Sequence, residues 1–107
     1  MHQPVMEVLI PNSVIGIDRW AFGGCTGLTE VVIPNSVISI GDRAFYECTG
    51  LTEVYFRGNA PKVTDRVFSG KKGTVYYLDG TTGWGDTFGG WPTALYQPAL
   101  SSKAEEM

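Results

Sequence analysis

Three groups of residues in this chain could do chemistry: the thiols of Cys25 and Cys48, the glutamates Glu7, Glu30 and Glu53, and the aspartates Asp79 and Asp86 beside an aromatic tail. A serine or cysteine nucleophile needs a base beside it. The single histidine, His2, lies at the N-terminus and supplies none. Two thiols and one distant imidazole do not make a tetrahedral metal set, so no metal or cofactor is expected. Asp79 and Asp86 could flank a glycosidic bond, but nothing in the sequence sets their separation, and an aspartate in a turn is the simpler explanation of each. Glu30 and Glu53 would stand one strand apart, and their like charges would raise one pKa. A bare column of carboxylates with no pocket is still a poor catalytic site. The chain reads as a non-enzyme, with a small hydrolase as the weakest alternative.

Two further stretches invite a chemical reading. Gly83, Gly85 and Gly89 follow the strand-like "TVYYL", but their spacing is not the dinucleotide fingerprint and no βαβ pattern follows. Trp84, Phe88, Trp91 and Tyr96 lie close together. Exposed tryptophans stack on sugar rings, which gives a carbohydrate-binding reading through Trp84 and Trp91. Trp91, followed by Pro92, is expected to be the most exposed of the set. The competing reading is a cap of bulky aromatics over the end of a core.

What positions these residues is a repeat. "IPNSV" occurs at residues 10–14 and again at 33–37. With a period of 23 the chain aligns without a gap, as "VLIPNSVIGIDRWAFGGCTGLTE" (8–30) and "VVIPNSVISIGDRAFYECTGLTE" (31–53), then a degenerate unit over 54–77. Phe56, Val63 and Phe68 fall at the phases of Ile33, Ile40 and Phe45. Residues 1–7 read as part of a further unit. A fixed period of this size marks a solenoid, in which no unit buries its own apolar face and stacking makes one core.

Within a unit, "LTEVVIP" alternates as a strand, and Pro34 with "NS" turns the chain. "VISI" is a second short extended run. "DRAFYEC" reads as one or two helical turns with Asp42 as cap. Ile10, Ile33 and Phe56 form one expected core column, and Phe22, Phe45 and Phe68 another. Two columns point outward: Glu7, Glu30 and Glu53, and beside them Leu9, Val32 and Tyr55. The acidic column could meet a cation or a basic partner, although a solvated edge that discourages aggregation is the plainer reading. Val32 and Tyr55, apolar and adjacent, are the more suggestive pair.

The unit resembles the bacterial BspA-like (Treponema-type) leucine-rich repeat. The resemblance rests on Leu28, Val31, Ile33, Pro34, Val37, Ile40, Ala44, Phe45, Cys48 and Leu51, and on Val8, Ile10, Pro11, Val14, Ile17, Ala21, Phe22 and Cys25 one period earlier. It covers about residues 5–77, and "GNAP…VYYLDGTTGWGDTFGGWPTAL" is similar to the closing segment of such arrays. It implies that the cysteines are packing residues, so Cys25 and Cys48 are expected as buried free thiols in preference to a disulfide. It also implies a surface or secreted location and an adhesive role toward host or matrix proteins or other cells.

Bulk properties bound the rest. The chain has 107 residues, 43% of them apolar, enough for one small domain. A net charge of −3 with scattered lysines and arginines argues against nucleic acid. No apolar run approaches a membrane span, and "MHQPVMEVLIP" does not read as a secretory signal. The chain is then either cytosolic or a piece of a larger exported protein. "MHQP" is too short and polar to cover the first unit, so an open N-terminal edge around residues 5–10 is expected, able to meet a second copy as a homo-oligomer.

The fold expected is an α/β solenoid: a short right-handed leucine-rich-repeat array over 1–77 with stacked parallel strands and short helical turns, an aromatic cap over 78–100, and a disordered tail over 101–107. The function expected is non-catalytic binding of a protein ligand through Glu30, Val32, Glu53 and Tyr55. The alternatives are polysaccharide binding through Trp84 and Trp91, and self-assembly at the N-terminal edge.

Overall fold

The computed structural model describes residues 6–64, 66–69 and 73–96, with the backbone alone for 6–9. The expectations for His2, for the tail at 101–107 and for the side chains of Glu7 and Leu9 lie outside these residues, as does most of the expected N-terminal edge.

Eight strands follow in order: β1 (Met6–Leu9), β2 (Gly16–Ile17), β3 (Leu28–Ile33), β4 (Ser39–Ile40), β5 (Glu53–Phe56), β6 (Thr74–Leu78), β7 (Thr87–Phe88) and β8 (Trp91–Tyr96). The main sheet runs β1-β3-β5-β6-β8-β7, while β2 and β4 pair separately. Every neighbouring pair is parallel except β7 with β8. The strands therefore stack coil on coil as a solenoid. The register keeps repeat phase: Glu30 faces Glu53, and Phe45 bridges Phe68. Beyond Phe68 the units shorten, with Glu53 facing Thr74 and Val75 facing Thr93.

The core is built from the phases that the repeat marks. Val31, Val54 and Val75 are fully buried in successive strands, and Ile17 and Ile40 repeat at the adjoining corner. Through the centre runs a ladder of rings. Phe22 stacks on Phe45 at 5.0 Å, Phe45 on Phe68 at 5.6 Å, and Phe68 on Trp91 at 4.4 Å. Offset stacking of this kind adds to the area that each ring buries.

Among the described residues there is no helix, which corrects the expected helical turns at "DRAFYEC". The reason lies in where the amides go. Ala44 N–H bonds back to Gly41 O and Tyr46 N–H to Arg43 O, as tight turns, but Phe45 N–H donates to Val67 O and Arg43 N–H to Arg66 O in the next coil. Residues that alternate between a local turn and a neighbouring coil cannot close an i→i−4 ladder. Arg43 and Glu47 also take left-handed φ of 59° and 61°, which interrupts helical backbone. The apolar spacing of this stretch serves a polygon of turns as well as it would serve a helix.

Two more expectations are corrected. Trp91, expected at the surface, is 1% exposed. The β7–β8 hairpin turns it onto Phe68 and over Gly73, where even a Cβ would lie 2.2 Å from the indole. Cys25, expected to be buried, is exposed, while Cys48 is buried as expected. No described residue covers the first coil as the first coil covers the second. Both thiols are free.

Candidate functional site

The main sheet has one face in the core, and alternation sends every second side chain to the other. On β3, β5 and β6 the outward positions form two columns in register. One is Glu30, Glu53 and Thr74. The other is Val32, Tyr55 and Tyr76, continued by Ala94 on β8. Four of the residues singled out from sequence, Glu30, Val32, Glu53 and Tyr55, thus stand together on this face, all partly exposed.

The structure adds two tyrosines. Tyr76 stacks on Tyr55 with centroids 5.0 Å apart and planes 15° off parallel. Tyr96, in register with Leu78 one column over, leans in to reach the Tyr55 ring at 5.0 Å. Ala94 places only a methyl group at its own position in the column. A cavity of about 230 Å³ opens here, walled by Val32, Tyr55, Leu78 and Tyr96, with Glu30 and Arg57 at its rim.

The hydroxyl of Tyr55 donates to Glu53 Oε1 at 3.0 Å. Burial first, then this carboxylate and that of Glu30, pushes the Tyr55 phenol well above the usual tyrosine range. Tyr55 is therefore a neutral donor throughout the physiological range.

The aromatic tail provides no comparable surface. Trp84 stacks on Tyr77 at 5.2 Å, meets Phe56 and Phe88 edge-on, and donates its indole N–H to Thr81 Oγ1 at 2.9 Å. With Trp91 buried, neither tryptophan presents a flat open face to a sugar. Trp20, which the sequence reading passed over, is 45% exposed and packs edge-on against Tyr46, which also lies under Arg43. Its signal was an aromatic residue at the phase that holds Arg43 one period later.

A second hollow, of about 360 Å³, lies on the first coil and is lined by Ile10, Pro11, Val14, Ile17, Ala21 and Phe22. One period on, Pro34, Val37, Ile40, Ala44 and Phe45 are all buried. The carboxylates considered for catalysis are not assembled. Asp79 and Asp86 are exposed in turns, and no group of three or more His, Cys, Asp or Glu able to hold a metal occurs among the described residues. No helix among them is long and apolar enough to cross a membrane.

Comparison with known families agrees with the coil geometry. The family model described as a BspA type leucine rich repeat region (6 copies) matches residues 2–78. The chain belongs to the BspA-type leucine-rich repeat family. Repeats of this family suggest a protein-interaction module, and the match takes in β1 to β6 with Glu30, Val32, Glu53, Tyr55 and Tyr76. It stops at Leu78, before β7 and β8, so Tyr96 and Trp91 lie outside it. No curated protein and no solved structure matches the chain.

Proposed function

We propose that this BspA-type array is a non-catalytic adhesion module that binds a protein ligand through its strand face. The observation that supports this most is the tyrosine cluster of Tyr55, Tyr76 and Tyr96 around an open cavity on that face. Tyrosine offers a large, rigid contact area with a polar tip, and it is enriched where proteins bind one another. Family membership favours a ligand such as a host or matrix protein, and an extracellular or cell-surface location for the array in a bacterium.

The test is retention of the protein on immobilised matrix proteins and on insoluble polysaccharides, with soluble product scored in the same wells. Retention on a protein without product is the expected result. Replacing Tyr55 and Tyr76 together with alanine should weaken it by about tenfold or more, the usual effect of removing a hot spot. Retention on a polysaccharide alone, or product that scales with protein, would overturn the proposal.

A second reading rests on a separate observation. The apolar hollow on the first coil repeats, uncovered, the positions that are buried in the second. A second copy meeting it about a two-fold axis would bury both. Light scattering that shows only monomer at high concentration excludes this reading.

A further inference from the structure

The strand face has a chemical polarity that a general contact surface would lack. Its glutamate column and its tyrosine column run side by side across the strands, with Arg57 at the opposite rim of the cavity. Glu30 and Glu53 sit on adjacent paired strands, about 4.8 Å apart at the backbone. Like charges in that register cost stability, and a cation between them removes the cost.

Long basic side chains suit such a site. They lay an aliphatic stem along apolar or aromatic surface and carry the charge to its edge. Tyrosine faces attract the head itself. The hydrogen bond from Tyr55 occupies only part of the acceptor capacity of the Glu53 carboxylate. The cavity, about 230 Å³, lies below the usual range of small-molecule pockets and suits one side chain of a larger ligand.

We infer that the strand face takes an extended protein segment bearing a lysine or arginine, whose cation lies against Tyr55 and Tyr76 beside Glu30 and Glu53. This rests on the strand-face reading above and narrows it. The segment lies across the strands, along the direction in which coils stack. Arg57 repels a second cation and so fixes which way round the basic residue sits. The net charge of −3 favours approach of such a segment, and added salt weakens it.

The experiment uses three capped ten-residue peptides, alternating Ser-Lys, Ser-Glu and Ser-Leu, titrated at low ionic strength against the tyrosine ring signals in NMR. The Ser-Lys peptide should shift Tyr55 and Tyr76, and the paired change Glu30→Gln with Glu53→Gln should cut its affinity by about tenfold. These substitutions keep size and hydrogen-bonding shape, and an unchanged amide spectrum away from the face will show that the fold is kept. Absence of any ring shift with Ser-Lys at millimolar concentration overturns the proposal. Ser-Leu binding at the same rings, equal in wild type and double variant, overturns the cation while leaving the strand-face reading standing. Shifts confined to the first coil with all three peptides overturn both.

Discussion

The first and second coils carry the same words and lead different lives. "IPNSV" opens both, yet Pro11 is exposed and Pro34 buried. Ala21 and Cys25 are exposed, while Ala44 and Cys48 are 0% and 2% exposed. Phe22 is half-buried and Phe45 is 1% exposed. Local sequence cannot account for this, since it is nearly shared. Burial in a solenoid is conferred by the neighbouring coil. Ser36 shows the same dependence in its hydrogen bond, donating to Val14 O of the coil before it at 2.7 Å.

The largest expected break in the comparison is at the ring ladder. Phe45→Ala removes a ring sandwiched between Phe22 and Phe68 and should cost ~3–5 kcal/mol in denaturant unfolding. Phe22→Ala, with a ring partner on one side only among the described residues, should cost less than half as much. Equal losses would mean that the first coil is covered after all.

Gly41 sharpens the contrast in the other direction. Its counterpart one period earlier is Asp18, an exposed side chain. At Gly41 a Cβ would lie 2.3 Å from the Arg19 backbone nitrogen of the first coil. Gly41→Asp should therefore destabilise the fold by ~1–3 kcal/mol, a typical overpacking penalty, whereas Asp18→Gly should change the midpoint little. A tolerated aspartate at 41 would show that the first coil yields easily.

The smallest effect is at the thiols. Cys25→Ala should stay within about 0.5 kcal/mol of wild type, as exposed substitutions do. Native protein should react with a thiol reagent at Cys25 long before Cys48. Cys48 is held by burial, which pushes its thiol upward, and it donates to Phe22 O at 3.0 Å. Comparable labelling rates would mean that the second coil opens as readily as the first.

Much of this was legible in the residues. The phases of Val31, Ile33, Phe45 and Leu51 were readable because stacking demands apolar columns, and the outward pairing of Val32 with Tyr55 followed from alternation. The helical turns were misread because "DRAFYEC" has apolar spacing that a run of tight turns satisfies equally, and the deciding bonds go to residues a full coil away. Tyr76 and Tyr96 were missed because the units shorten after Phe68, so a fixed period no longer points to them. Trp91 was misplaced because a hairpin, which repeat phase does not encode, turns it inward.

The hydrogen bonds that join coil to coil have a consequence for force. They lie roughly along the stacking direction, so a pull on the two ends loads them in series and opens the coils one after another rather than together. The coil with the least cover yields first. In a protein anchored at one end and attached to a ligand at the other, the first coil would act as a fuse. It would lengthen the tether under strain and re-form on release, while the ring ladder behind it holds.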